Sequence, residues 1–367
     1  MKKLKKISAK LLSGLLVFGL LTGCGNTGNT DTEGNTDGQV LEVEEENTDT
    51  ALVVPETTEG SHETDVEILQ RLIAEQKALG ADVSEDIYDE EQYTWRAGRL
   101  ISIAWSEKNL SGTISCNGLT ALVDFYCRDN SMIELDVSDC YALEALFCGN
   151  NQLVSLDVSN CRTMYELYCS NNQLENLDIS DCTKLSDLAC ANNKLTSLDV
   201  GNCPNLTWFY CQENQINSLD VSNCPNLYLF ACYDNLLEAL DVTMCAKLRE
   251  FYCGNNNIKE LDLSGCNLLT DLDCCNNQID ALDVSNCTKL DRLHCYDNQI
   301  DTLDVVFCPD LTILECYNNQ ISTLDVSKCT KLYSLVCNGN MLTALDVSNC
   351  PELEKLECDA AVSVTGR

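Results

Sequence analysis

Histidine is nearly absent from this 367-residue chain: there are two, beside three tryptophans, five prolines and five methionines. So few imidazoles leave little material for histidine metal sites or acid–base pairs. No P-loop, H-E-x-x-H or G-x-S-x-G occurs, and no C-x-x-C pair that would suit zinc or a cluster. Catalysis therefore finds no footing in the motifs, and neither an enzyme nor a cofactor is expected. Basic side chains are also scarce, 23 against 58 acidic. Five of them (Lys2, Lys3, Lys5, Lys6, Lys10) fall in the first 24 residues, so the chain beyond carries 18 basic groups and a net charge of −40. Such a surface repels phosphate backbones and anionic headgroups, which argues against nucleic acid and leaves basic protein patches and cations as easier partners. The apolar run from Leu11 to Leu21 is too short to cross a bilayer.

What is abundant is repetition. From Leu122 to Glu352 a 21-residue unit recurs eleven times without a gap, and Leu353–Cys358 begins a twelfth. Numbered from its first leucine, the unit reads L-x-x-L-x-C-x-x-N-x-L-x-x-L-D-V-S-x-C-x-x. A fixed period of this size means a solenoid, in which each unit buries its apolar face against its neighbours. The half-units L-x-x-L-x-C and L-x-x-L-D-V alternate as strands do, which turns positions 4, 6, 14 and 16 inward and positions 3, 5, 7, 13, 15 and 17 toward water.

The pattern resembles a leucine-rich repeat, and more narrowly the short 21-residue bacterial class whose two halves both echo L-x-x-L-x-L. The resemblance covers about two thirds of the chain. It implies a repeat solenoid: a right-handed arc with a parallel sheet on its concave face, and little helix apart from a cap. Whether the second half of each unit adds a strand or an irregular turn stays open.

Three invariant columns carry their own chemistry. Asparagine fills position 9 in every unit, as in Asn151, Asn256 and Asn319. Its amide donates and accepts at once, which suits a buried turn whose peptide groups lack partners. Position 6 supplies twelve cysteines and position 19 eleven, with Cys24, Cys116 and Cys275 completing the 26. They occupy leucine slots, and stacking at about 4.8 Å is wider than the usual disulfide Cβ separation, so two rows of reduced thiols are expected. Scattered disulfides and metal ligation are the alternatives. Aspartate fills position 15, where a carboxylate accepting the N–H two residues on would make an Asx turn. The sharper alternative is a calcium row along Asp136, Asp157 and Asp178.

The flanks divide the rest. Residues 1–23 have signal-peptide shape, and Leu21-Thr22-Gly23-Cys24 resembles the bacterial lipobox, which implies cleavage before Cys24 and a diacylglyceryl group on its sulfur. The expected location is thus extracytoplasmic, with the membrane reached only through that anchor. Residues 24–64, rich in Thr, Asn, Gly and Glu, lack the apolar side chains to offset ordering and read as a disordered tether. Residues 65–121 hold a helix over Asp65–Gly80, with Asp65 as N-cap and Val66, Leu69, Leu72 and Ile73 on one face, followed by a capping repeat. There Leu100, Ile103 and Trp105 stand at positions 1, 4 and 6. The repeats run over 122–358, and residues 359–367 are expected to close the end as an edge strand or lid.

The exposed positions of the first half-unit vary most. Position 5 carries Tyr126, Phe147, Tyr168, Tyr210 and Tyr252, position 3 adds Trp208, and Asp124, Glu166 and Glu250 lie between them. Aromatic rings rimmed by carboxylates compose a recognition surface. A protein ligand is the first expectation, a glycan the alternative, and a plain spacer the third. Cys275 is expected to face outward on the side of His294, a conceivable dyad without a third member.

Overall fold

The structure, a computed structural model, describes residues 64–366. The leader, Cys24 and most of the tether lie outside the described residues. Among the described residues no helix is long and apolar enough to cross a membrane.

Helix α1 spans Asp65–Ala78 and sits across the N-terminal end of the solenoid. Thr64, not Asp65, is its N-cap: the Thr64 hydroxyl accepts the Glu67 N–H, and the Glu67 carboxylate accepts the Thr64 N–H at 2.8 Å. Asp65 has a different task, since its Oδ2 accepts the Leu100 N–H and the Arg99 Nε–H, both at 2.8 Å. Gly80 at φ +93° makes a left-handed exit from the helix. Ile68, Leu69, Leu72 and Ile73 are buried, whereas Val66 is half-buried, so the inner face is turned by part of a residue step.

The repeats build a sheet of fourteen strands. It opens with an antiparallel hairpin, Tyr93–Arg96 with Arg99–Ala104, and from there every pairing is parallel. Each unit contributes three residues, positions 3 to 5, in a register set by the repeat, so Asp124–Tyr126 lies beside Ala145–Phe147 and Glu166–Tyr168. Position 4 points inward, and there Phe209, Phe230 and Phe251 stack at 5.2 and 5.5 Å between centroids. Trp105 fills the capping unit's cysteine slot without any exposure, and its Nε1 donates to the Tyr93 hydroxyl.

The second half-unit is strand only at the two ends. Ser111–Ser115, Ser131–Asp136 and Leu156–Asp157 form one short sheet, and Ala344–Asp346 with Ser363–Thr365 another. Between them the position-15 aspartate directs the chain. In all eleven units its Oδ1 accepts the N–H two residues on, at 2.8–3.1 Å. For Asp178, Asp220 and Asp325 the N–H and hydroxyl of the following serine hold the carboxyl below its usual range. A turn follows at once, as the position-19 N–H reaches the position-16 carbonyl, for example Cys245 to Val242 at 2.9 Å.

The position-9 asparagines tie neighbouring units together. The Asn235 amide donates to the carbonyls of Cys232 in its own unit and Cys211 in the preceding one, both at 3.1 Å, and its Oδ1 accepts the Ile216 N–H at 2.9 Å. The residue before it, position 8, is left-handed in every unit from Asp129 (φ 57°) to Asn318 (φ 53°), with Gly339 in the eleventh. Asparagine, aspartate and glycine tolerate that region, and all but one unit has one of them there. The exception is Glu213, at φ 56°.

The cysteine columns are rows of free thiols, buried everywhere except at Cys358. Position-19 sulfurs donate to carbonyls of the preceding unit, such as Cys266 to Val242 at 3.5 Å. Burial pushes the thiols up, to about 12 at Cys161 and Cys169, which keeps them protonated and chemically quiet.

Candidate functional site

The outward face of the long sheet is built from positions 3 and 5 of successive strands. Because the pairing keeps whole-unit register, position 5 forms one column, Tyr126, Phe147, Tyr168, Ala189, Tyr210, Ala231 and Tyr252, and position 3 forms a second beside it. Strand spacing brings adjacent rings to stacking distance. Tyr126 and Phe147 stack at 5.0 Å, and Phe147 and Tyr168 at 4.7 Å with planes only 7° apart. Phe147 is therefore covered on both faces, while Tyr126 and Tyr168 each turn one face to it and the other toward an alanine, Ala104 or Ala189.

Farther along, alanine at 189 and 231 gives room on either side of Tyr210, which is only 5% exposed. Tyr210 is thus part of the sheet's own packing, whereas Tyr126 is 36% exposed and Phe147, Tyr168, Trp208 and Tyr252 are intermediate. The alternation of strand residues foretold that Tyr210 faces outward; it could not foretell that the ring sinks to 5% exposure between two alanines.

Carboxylates line the rings. The Tyr252 hydroxyl donates to Glu250 at 3.2 Å. Burial, then the charges of Asp124 and Glu166, push Tyr126 up to about 12, and Tyr168 and Tyr252 are raised by burial and by their own acidic neighbours. Glu250 is itself raised by burial and by Asp271, against the smaller pull of Tyr252 and Arg292. Asp271 is held by Arg292 at 3.3 Å. Asp187 is buried at 6% exposure among these groups.

A second aromatic row was not anticipated. Position 2 precedes each strand, and there Tyr228 stacks on Trp208 at 5.7 Å while the Arg249 guanidinium lies 5.7 Å from the Tyr228 ring centre. The signal was present in the column Tyr165, Tyr228, Arg249 and Tyr333, which the strand alternation alone does not distinguish.

Cys275 departs from expectation. It is 1% exposed rather than open to solvent. Its sulfur nestles over Gly254, where any Cβ would come within 2.9 Å of it. Next along the column Tyr296 stacks on Tyr317 at 4.3 Å. His294 is held by Glu315, Nδ1 to Oε2 at 3.1 Å. Burial alone would lower the imidazole, but its hydrogen bond to the Glu315 carboxylate and the charges of Asp273 and Glu315 outweigh it, so His294 stands above its usual value. A covered thiol and a histidine engaged elsewhere leave no open dyad.

Asp136, Asp157 and Asp178 stand in the Asx turns of the opposite wall. Asp136 also accepts from the Ser115 hydroxyl and the Asn117 amide. Among the described residues no group of three or more histidine, cysteine or acidic side chains is arranged to hold a metal ion.

No family profile matches the chain, and no curated protein does. Solved structures do match. The functional domain of InlJ from Listeria monocytogenes, which includes a cysteine ladder, is 31% identical with a TM-score of 0.63, over 72% of this chain. The match spans 64% of that domain's own length. An internalin, InlF, from the same organism is 22% identical with a TM-score of 0.62, covering 74% of this chain and 86% of its own. The plant peptide hormone receptor RGFR1 in complex with RGF2 is 20% identical with a TM-score of 0.57, over 75% of this chain and 57% of its own. The fold is a leucine-rich-repeat solenoid, with parallel sheet and very little helix.

Proposed function

We propose that this is a lipid-anchored cell-surface protein that binds another protein through the aromatic–acidic face of its long sheet. The observation that carries the reading is the Tyr126–Phe147–Tyr168 stack bordered by Asp124 and Glu166. Its central ring is stacked on both faces and each tyrosine on one, which leaves mainly edges and hydroxyls to a partner. That suits polar and apolar contacts to a folded surface or peptide better than the flat stacking a sugar ring requires. The surrounding carboxylates and the chain's acidity favour a partner rich in lysine or arginine. The RGFR1 structure contains a peptide ligand on the same fold, which is consistent with a polypeptide partner.

Capture of partners from the cell envelope and its surroundings, followed by direct binding of the candidates to purified components, tests the face. Binding should be lost in a variant carrying Tyr126→Ala, Phe147→Ala and Tyr168→Ala that melts like the parent. Retained binding would move the function elsewhere. The anchor is tested separately: Cys24→Ser should abolish metabolic labelling by radioactive fatty acid and release the protein from the membrane fraction.

A further inference from the structure

The two ends of the solenoid are finished differently. At the N-terminal end helix α1 lies over the core, and its side chains occupy strand backbone that would otherwise be open. Asp65 takes the Leu100 N–H, and Gln76 both donates to and accepts from Ser111. At the C-terminal end no helix among the described residues forms a comparable cover. Leu353, Leu356, Cys358, Val362 and Val364 pack on the core yet remain partly exposed. One unit earlier, Leu332, Leu335 and Cys337 are no more than 1% exposed. The closing segment, expected as an edge strand or lid, gives Ser363–Thr365 as an edge strand to the short sheet, beside Ala344–Asp346. The last strand of the long sheet, Lys355–Glu357, keeps its outer edge.

The backbone pattern at both edges is the same. The Lys355 N–H reaches the Tyr333 carbonyl at 3.1 Å, and the Glu357 carbonyl accepts from Cys337 at 2.8 Å. Alternation then turns the N–H and C=O of Leu356, between them, to the open side. In the other wall Ser363 donates to Thr343 at 3.0 Å and Thr365 accepts from Val347 at 2.9 Å, which turns the peptide groups of Val364 outward. Each edge thus offers one N–H and one C=O at the centre of a three-residue strand.

We propose that two copies of this chain join end to end through these C-terminal edges, about a twofold axis passing through Leu356 and Val364. Such a rotation reverses both strands at once, so each pairs antiparallel with its own copy. Leu356 would exchange both hydrogen bonds with Leu356 of the second copy, and Val364 likewise, as at a closely bonded antiparallel site. The charges fit the same register. Lys355 and Glu357 share one face of the strand, about half-exposed, with Nζ and Oε1 3.4 Å apart. Pairing centred on Leu356 places Lys355 of each copy opposite Glu357 of the other, while Leu356 points into the joined core. Helix α1 closes the other end, so the contact yields a closed dimer rather than a fibre.

Sedimentation velocity on the purified protein over a concentration series tests this, with each variant's melting point as the check on folding. The wild type should dimerise. Lys355→Glu and Glu357→Lys should each weaken self-association about tenfold or more, because like charges then face each other. An equimolar mixture of the two should form the heterodimer, and the double exchange Lys355→Glu with Glu357→Lys should restore the homodimer. Net charge alone cannot produce this, since the two single changes move it in opposite directions. A monomeric wild type, self-association indifferent to both reversals, or failure of the mixture to pair would overturn the proposal.

Discussion

Gln76 makes both halves of a strand pairing with Ser111: its Nε2 donates to the Ser111 carbonyl and its Oε1 accepts the Ser111 N–H, each at 3.1 Å. A carboxamide is chemically a peptide group, so one buried side chain stands in for the strand that the N-terminal end of the short sheet lacks. Asp65 acts similarly on the Leu100 N–H. The cap therefore works by hydrogen bonding as well as by covering apolar surface.

Gln76→Ala should cost about 2 kcal/mol, since it leaves the half-buried N–H and C=O of Ser111 without the Gln76 carboxamide. Gln76→Glu should lose most of the same amount, because an ionised carboxylate cannot donate to the carbonyl. Hydrogen exchange at Ser111 and urea unfolding would measure both, and exchange at Ser111 unchanged from wild type would contradict the assignment.

In the middle of the chain the asparagine column dominates. Asn235→Ala removes an acceptor for the Ile216 N–H and the donors to Cys211 and Cys232. About 3 kcal/mol or more is expected to be lost, with unfolding becoming less cooperative about the unit in which the link is cut. Denaturant unfolding followed by two probes would register it.

Glu213 occupies a left-handed position that its neighbours in the column fill with asparagine or aspartate. Glu213→Asn should stabilise the protein by about 0.5–1 kcal/mol, because asparagine adopts φ near +56° at less cost. A melting temperature equal to or below the parent's would contradict this.

The buried thiols set the response to alkali. Their folded pKa values are raised, to about 12 for Cys182, Cys224 and Cys329 among others, while an unfolded thiol titrates near about 8.5. Above that lower value the unfolded chain releases protons that the folded one keeps, so stability is full below it and falls as pH rises toward the folded value. Each thiol removes up to about 1.4 kcal/mol per pH unit, and with two full columns of them the loss should be steep. Circular dichroism under reducing conditions should show unfolding begin soon after pH passes about 9. At neutral pH, mass-spectrometric mapping of brief alkylation should find Cys358 modified first within residues 64–366, since the other thiols there are buried.

The repeat made the scaffold legible before any coordinates. Period and alternation identify the inward columns, asparagine's paired donor and acceptor explain position 9, and an aspartate accepting the N–H two residues on explains the Asx turn. Position 8 was readable too: its run of asparagine and aspartate is the residue choice of a left-handed backbone. The outer face was less legible because packing there runs along columns, between residues 21 apart in sequence. Alternation turns Tyr210 and Cys275 outward, yet the small neighbours of the one and the glycine beside the other let them sink into cover. Asp65 misled for a related reason, since Thr64 could cap the helix and leave the aspartate for a strand remote in sequence.

The asparagine links also constrain how such a chain can lengthen. Each one spans from its own unit to the one before, so a single inserted residue would put the amide that spans it out of step with its carbonyls, while later links keep their spacing. Gain or loss of a complete 21-residue unit leaves each link with an equivalent partner. The binding face can therefore be resized one strand at a time, by copying or deleting whole cassettes of coding sequence, while the rules that hold it together stay the same.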